Sequence, residues 1–269
     1  LGATEMIDGA PATEWVASAL KELAGMEEVR LLPRSTVAGY FDHNFLTILE
    51  RVADHLDSDG STSPRQRLWR VRAGQVVLAT GAIERPLVFG NNDRPGVMLA
   101  SAVSTYLNRY AVKPGKRSVV FTNNDSGYQT ALDLANVGGG VAAVVDVRAE
   151  PKGELPQRVM QMGIEVLAGH AVVDVRGGRH VRGVDIMRLN GDEVADGSLR
   201  KIKCDLLAVS GGWSPVVHLH SQSGGRPRFD EAKTCFLPGP PVQAERSAGS
   251  CTGAFSLREC LAEGFTAGA

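Results

Sequence analysis

The polar turn in the segment VVFTNNDSGY, residues 119–128, has the residue types and spacing to bind a phosphate. A short apolar run precedes the turn, and a helical pattern, YQTALDLANVG, follows it. A pyrophosphate is held by backbone N–H groups at such a strand-to-helix turn, for which the usual spacing is G-x-G-x-x-G. In this sequence the third glycine remains, whereas Thr and Asn replace the first two. The candidate phosphate turn comprises Thr122, Asn123, Asn124, Asp125, Ser126 and Gly127.

The same turn has a simpler interpretation. Asn tolerates a positive φ, so Asn124 is the less damaging replacement, and Asn, Ser and Thr side chains can hydrogen-bond a phosphate. However, Asn and Asp also cap ordinary helices that bind no ligand. The turn alone leaves both interpretations open.

An acidic residue at the end of the next strand supports the nucleotide interpretation. Asp146 ends the run VAAVVD, at about the 20-residue distance at which an acid meets the ribose hydroxyls of NAD. A carboxylate there repels the additional phosphate of NADP. Arg148 follows two positions later and can offset that preference. We therefore predict an NAD site that includes Asp146 and Arg148.

Two strand ends resemble one another, VVLATGA and LLAVSGG. The first ends at Thr80 and Gly81, and the second is followed by Gly211, Gly212 and Trp213. Ligand crevices of α/β proteins open at such strand ends, so these residues are further candidates for cofactor binding. Tight turns without a ligand, and a core position for Trp213, are the alternatives.

No catalytic or metal-binding set is predicted. Glu84 and Arg85 are expected to form a surface pair. His218 and His220 could form a metal pair on a strand, but no nearby acid or Cys completes it. The four cysteines lack CxxC spacing and are expected to be isolated thiols, with Cys251 and Cys260 buried; the other two are Cys204 and Cys235.

Composition indicates a globular chain without an electrostatic preference for a polyanionic partner. Of 269 residues, 43% are hydrophobic and 22% charged, and the formal net charge is -1. We therefore expect no nucleic-acid partner and no anionic membrane. The apolar runs are short, and no signal peptide opens the chain, so the expected compartment is the cytoplasm.

The patterns predict an α/β fold with one complete βαβ unit. Helices are expected at residues 12–25, 100–110 and 154–163, and in the tail after a turn. Strands are expected within 29–41 as strand, turn, strand, and at 67–72 and 75–79. NFLTILERVADHL fits a strand or a short helix, and DSDGSTSPRQ is expected to be an exposed hairpin loop. HAVVDVRGGRHVRGVDIMRL predicts an antiparallel excursion.

The motifs together resemble a known family. VVLATGAIERP is similar to the "ATG" strand end of flavoproteins that bind two dinucleotides. GAIERPLVFGNNDRPGVMLASAV, the βαβ unit and DLLAVSGGWSPVVHL resemble the α subunit of heterotetrameric sarcosine oxidase. STVAGYFDHNFLTILERV and GAFSLRECLAEGFTAGA fit the same family, so the resemblance covers nearly the whole chain.

The resemblance implies a Rossmann-like FAD/NAD(P)-binding fold with nested domains. Residues 1–94 and 206–269 would be parts of an outer FAD/NAD-type domain, and residues 95–205 an inserted NAD-binding domain. It also implies a complex that oxidatively demethylates sarcosine, with FAD in a β subunit and FMN near the α/β contact. Partners would be the β subunit and smaller subunits of a heterotetramer.

Two departures from the family argue against FAD binding by this chain. The first βαβ unit with its intact G-x-G-x-x-G is not in the sequence, and the final turn, AGSCTGAF, lacks the usual Asp. The chain opens at Leu1, so we expect a middle piece of an α subunit, with possible self-association through apolar surface left uncovered.

Three alternatives stay open. The chain can be a ligandless structural or assembly module with a degenerate dinucleotide fold. It can belong to a related amine or opine oxidase, or to hydrogen cyanide synthase. A pyridine nucleotide–disulfide oxidoreductase is disfavoured by the lack of a CxxC pair.

Overall fold

The computed structural model describes residues 5–56, 63–191, 193–195 and 197–269. The chain divides into two compact units. The inner unit is continuous, Glu84–Trp213, and the outer unit is formed by the segment up to Ile83 together with Ser214–Ala269. The inner unit thus begins at Glu84 rather than at residue 95 and ends at Trp213 rather than at residue 205.

The outer unit begins with a helix and an antiparallel meander. Pairing in the meander follows the order β3-β4-β5. NFLTILER is therefore a strand, whereas the strand expected at residues 29–32 is wrong, because that segment pairs with no other strand and stays irregular. The elements are β1 (Met6–Ile7), β2 (Ala10–Pro11), α1 (Ala12–Ala24), β3 (Ser35–Phe41), β4 (Phe45–Arg51), β5 (Gln66–Arg72), β6 (Val76–Leu78) and β7 (Ala82–Glu84).

The expected hairpin loop DSDGSTSPRQ falls largely outside the described residues, which exclude 57–62. The tight turn between β3 and β4 is described. His43 and Asn44 both have positive φ there, 59° and 49°. Two central residues with positive φ match the right-handed twist of a hairpin.

The inner unit contains the predicted βαβ unit and the antiparallel excursion. The predicted helix at residues 100–110 is confirmed, as is the helix at Glu154, and the strand at Val166 pairs in parallel with its neighbour. The elements are β8 (Val97–Leu99), α2 (Ala100–Tyr110), β9 (Arg117–Thr122), α3 (Ser126–Asn136), β10 (Gly140–Asp146), α4 (Glu154–Gln161), β11 (Val166–Ala168), β12 (His170–Arg176), β13 (Gly183–Asn190), β14 (Glu193–Val194), β15 (Arg200–Ile202), β16 (Leu206–Ser210) and β17 (Trp213–Pro215).

Three layers build the inner unit. Five parallel strands form the central sheet in the order β11-β10-β9-β16-β8. Val120 and Val144 face a core with the helices, and Val119 and Val145 face a core with the antiparallel sheet of β12, β13 and β15. Burial on both faces explains why these strands are continuous apolar runs.

The outer unit resumes with a short helix, two strand pairs and the tail. Strand β20 pairs with β6 in parallel, and β18 pairs with β19. The elements are α5 (His218–Gln222), β18 (Arg228–Asp230), β19 (Cys235–Leu237), β20 (Glu245–Ser247), a 3-10 turn (Gly249–Thr252) and α6 (Leu257–Gly268). The predicted turn and tail helix are thus confirmed. Among the described residues, every helix is too short or too polar to cross a bilayer.

Candidate dinucleotide site of the inner unit

The candidate turn lies at the point of the parallel sheet where the order of the strands reverses. From β9 the chain continues to β10 on one side, and the later strand β16 lies on the other side. The register pairs Thr122 with Asp146 in β10 and with Ser210 in β16. Ligands of open α/β sheets bind outside the carboxyl ends of the strands at such a switch point. The sheet therefore brings three polar strand ends to the expected position of a nucleotide.

Gly127 performs the packing role expected of the third glycine. A Cβ atom at Gly127 would lie 2.6 Å from Cβ and Oγ1 of Thr122. Helix α3 therefore approaches the end of β9 more closely than it could if residue 127 had a side chain. Thr122 itself is fully buried, and its Oγ1 accepts from the Asn124 N–H at 3.1 Å.

Asn124 fills the turn with its own side chain. Its Oδ1 accepts from the Ser126 N–H at 3.0 Å and from the Ser126 hydroxyl at 2.5 Å. Its Nδ2 donates to the carbonyl of Ser210 at 3.2 Å and to the Ser210 hydroxyl at 3.0 Å. An N–H at the start of a helix is the group that would meet a phosphate oxygen. A phosphate must therefore compete with the Asn124 amide for Ser126.

The residues after β16 meet the same turn. The side chain of Asn123 donates from Nδ2 to the carbonyl of Gly211 at 3.3 Å. Its backbone N–H donates to the carbonyl of Ser210 at 3.2 Å. The Trp213 indole N–H donates to the Ser126 hydroxyl at 3.1 Å. Trp213 is partly buried and lies beside the turn, and its cofactor role stays a prediction. Ser210 was not singled out from the sequence, although a polar residue ending a buried strand is a usable signal.

Asp146 is enclosed by protein donors. It is fully buried, and Tyr128 donates its hydroxyl to Oδ2 at 2.8 Å. Arg148 donates its backbone N–H to Oδ1 at 2.9 Å and its Nη2 to Oδ2 at 2.8 Å. A ribose hydroxyl must compete with these donors, and the ribose role of Asp146 stays a prediction.

Arg148 joins Asp146 to the start of α3. Its Nη2 also lies 2.8 Å from Oδ1 of Asp125, whose side chain is 46% exposed. Burial lowers the pKa of Arg148, but hydrogen bonds and charge from Asp146 and Asp125 outweigh burial and raise it. Two carboxylates around one guanidinium leave the cluster with a net negative charge. Of the two acids, Asp125 is the one that solvent and ligands reach.

The pKa of Tyr128 is raised, first of all by burial. The hydrogen bond and charge of Asp146 raise this pKa further, while Arg148 lowers it. Tyr128 is fully buried in α3, so it supports Asp146 from beneath the helix. No feature of the sequence distinguishes Tyr128 from the other aromatic residues.

Thr80 and Gly81 lie in the outer unit. The Thr80 hydroxyl donates to the carbonyl of Val216 at 2.6 Å, and the Gly81 carbonyl accepts from the Val216 N–H at 2.9 Å. Gly81 has a φ of 78°, and a Cβ there would lie 3.9 Å from the Ser250 hydroxyl. These contacts show a tight strand-end turn, and its cofactor role stays a prediction.

Three other expectations need correction. Glu84 is buried rather than on the surface. Its Oε2 accepts a hydrogen bond from the Ser101 N–H at the start of α2, at 2.8 Å. His218 and His220 are in a helix, α5, so they point to different sides and cannot act as a strand pair. Cys260 is only partly buried, since the tail helix is amphipathic.

All four thiols are free, as expected, and Cys204, Cys235 and Cys251 are buried. Within the described residues, no group of three His, Cys, Asp or Glu side chains could hold a metal ion.

The fold is the Rossmann-like α/β fold that the sequence predicted. Thioredoxin reductase from T. acidophilum superposes with a TM-score of 0.66 at 17% identity, covering 96% of this chain and 78% of that chain. L-proline dehydrogenase from P. horikoshii superposes with a TM-score of 0.64 at 20% identity, covering 93% and 42%. At these identities the likeness shows the fold alone.

Comparison of the sequence with known proteins then identifies relatives of this chain. The chain is 43% identical over 270 residues to the sarcosine oxidase subunit alpha of Corynebacterium sp. (strain P-1), covering 99% of this chain and 28% of the relative. The subunit alpha of Rhizobium meliloti (strain 1021) is 39% identical, with 98% and 26% covered. No protein-family model matches the chain. The chain is therefore homologous to a segment of sarcosine oxidase α subunits, spanning about a quarter of their length, and the predicted resemblance is confirmed.

Proposed function

We propose that this chain is the nucleotide-binding portion of a sarcosine oxidase-type α subunit and that its inner unit binds NAD. The observation that supports this most is the meeting of Thr122, Asp146 and Ser210 at the switch point of the parallel sheet. The homology to named α subunits supports the oxidoreductase class. In that proposal the chain takes part in a complex that oxidatively demethylates sarcosine, with the β subunit and smaller subunits as partners.

The polar groups at the turn fit a dinucleotide in specific ways. The Ser126 N–H and hydroxyl would hold phosphate once Asn124 moves aside, and Trp213 would lie beside the bound molecule. Asp125 would accept from the ribose, because it is the exposed acid of the cluster. The net negative charge around Arg148 would oppose the additional phosphate of NADP. When bound, NAD supplies a nicotinamide that can accept a hydride; FAD and FMN would belong to other parts of the complex.

Calorimetric titration with NAD and NADP tests the proposal. We expect NAD to bind more tightly than NADP. Asn124→Gly should tighten NAD binding, because it removes the amide that occupies Ser126 and restores a glycine at the second motif position. Asp125→Asn should narrow the preference for NAD over NADP, because it removes one negative charge from an exposed position.

A matched control uses the same substitution in another turn. Asn91→Gly lies in the inner unit at a residue with φ of 57°, where glycine fits, and should leave NAD affinity unchanged. Absence of heat with either nucleotide, from folded wild-type and Asn124→Gly chains alike, would contradict the NAD proposal.

A ligandless structural module is the second candidate. It is favoured by the complete internal satisfaction of Asn124 and Asp146, which leaves the turn capped without any ligand. The Asn124→Gly titration separates the two candidates. A structural module gains no NAD affinity from the substitution and loses helix stability, since the Asn124 cap is lost.

A further inference from the structure

A cavity in the outer unit contains a buried acid–base pair outside the nucleotide site. The cavity has a volume of about 330 Å³. His220, from α5, and Glu245, from β20, both line it, and they are 2% and 4% exposed. Nδ1 of His220 lies at hydrogen-bond distance from Oε1 of Glu245. The proposed NAD site uses neither residue.

The pair is only half satisfied. Within the described residues, Nε2 of His220 and Oε2 of Glu245 are buried and have no hydrogen-bond partner. Buried polar atoms of native proteins are almost always paired, so each orphan atom has an energetic cost. A bound polar group that meets either atom would remove the cost of leaving that atom unpaired.

The chain around His220 is shaped to hold its ring. A Cβ at Gly225 would lie 2.3 Å from Nε2 and Cε1 of His220, so only glycine leaves space for the imidazole. Ser223 donates its hydroxyl to the His220 carbonyl at 2.8 Å, and the Gly225 N–H donates to the same carbonyl at 3.0 Å. Gly225 therefore leaves room for the ring, and the two hydrogen bonds hold the backbone of His220 in place.

The rest of the lining carries positive charge and apolar surface. Arg228 and Arg246 both line the cavity, together with Leu237 and two prolines. No hydrogen bond or ion pair in the described part of the chain engages the guanidinium of Arg228, and that of Arg246 donates only to the Ala267 carbonyl. Guanidinium groups hold carboxylates and phosphates through paired hydrogen bonds.

We propose that this cavity binds a small hydroxylated organic anion. Its carboxylate or phosphate would be held by Arg228 and Arg246, and its hydroxyl would meet either Nε2 of His220 or Oε2 of Glu245. A hydroxyl both donates and accepts, so it can pair with a carboxylate oxygen or with a ring nitrogen in either protonation state. The apolar wall would cover the carbon chain. The proposal is independent of NAD binding by the inner unit.

The test compares ligands that differ by one group. Malate and succinate differ only in a hydroxyl, and glycerol 3-phosphate replaces carboxylate with phosphate. Each is titrated into the folded chain with labelled histidine, and the ring signals are followed by NMR. His220 is assigned from the signal lost in His220→Gln, and the exposed His218 is the internal reference. We expect malate or glycerol 3-phosphate to shift the His220 signal at lower concentration than succinate does.

The arginine variants test the charge without disturbing the core. Arg228→Gln and Arg246→Gln change exposed residues and should each weaken binding about tenfold or more, because a charged hydrogen-bond pair is lost. Arg226→Gln makes the same charge change at a neighbouring residue that does not line the cavity, and it should leave affinity unchanged.

Three results would overturn the proposal. The first is no shift of the His220 signal with any of the three anions. The second is equal binding of malate and succinate, which would remove the role of the buried pair. The third is equal weakening by Arg226→Gln and Arg228→Gln, which would indicate unspecific attraction of anions to a basic surface.

Discussion

Tyr128 and Asp146 form a fully buried hydrogen bond, 2.8 Å long, between α3 and the end of β10. The bond ties the first helix after the candidate turn to the strand beside it. It also holds the carboxylate that the sequence selects as a ribose acceptor. The position of Asp146 is therefore set by the core of the inner unit as well as by any ligand.

Removing this bond should destabilise the inner unit. In Tyr128→Phe the Asp146 carboxylate loses a donor while it stays buried, which costs about 1–3 kcal/mol. Urea unfolding measures the loss, and Tyr110→Phe, at an exposed tyrosine of α2, is the control that should change little. Equal stability of Tyr128→Phe and wild type would show that Arg148 alone satisfies Asp146.

Local patterns were sufficient to predict most of the inner unit. The apolar runs of β9 and β10, separated by a helical pattern, specify a βαβ unit because parallel strands need such a crossover. The position of Asp146 at a strand end was also visible. What the sequence could not show was which donors already surround Asp146, because Tyr128 is separated from it along the chain and meets it only after folding.

The outer unit shows the same limit. From the sequence, His220 was considered only together with His218, and no acid near it along the chain was found, whereas its partner is Glu245 in a distant strand. Residues two apart point to different sides of a helix, so His218 is exposed and His220 is buried. Glu84 was expected on the surface because charged residues are rarely buried, and its partner, the N–H at the start of α2, is not visible in a local pattern.

The contact between Gly127 and Thr122 gives a second prediction. Gly127→Ala should destabilise the chain by about 1–3 kcal/mol, because its Cβ would overlap Thr122 and force α3 away from β9. It should also weaken nucleotide binding if the turn is the site. Thermal unfolding and the NAD titration measure the two effects.

The control for that substitution is Gly264→Ala in α6. A Cβ at Gly264 would meet no atom within 4 Å, and alanine favours helix, so this variant should be neutral or stabilising by up to about 1 kcal/mol. If Gly127→Ala were as well tolerated as Gly264→Ala, the close approach of helix and strand would have no energetic importance.

Alkaline pH should destabilise the inner unit through its buried thiol. Burial, and then the charge of Asp205, raise the pKa of Cys204 to about 12. The pKa of a cysteine thiol in an unfolded chain is about 8.5. Between these values the unfolded chain loses a proton that the folded chain keeps. Stability therefore falls as pH rises through this window, by at most about 1.4 kcal/mol per pH unit for one group. Below the window the thiol contributes no pH dependence.

Urea unfolding at several pH values, from neutral to alkaline, measures that slope. Cys204→Ala should reduce it, whatever its effect on stability at neutral pH. Native Cys204 should also resist alkylation until the chain unfolds, because the thiolate is the reactive form and burial suppresses it. Rapid alkylation of Cys204 in the folded chain would contradict both its burial and the direction of its pKa shift.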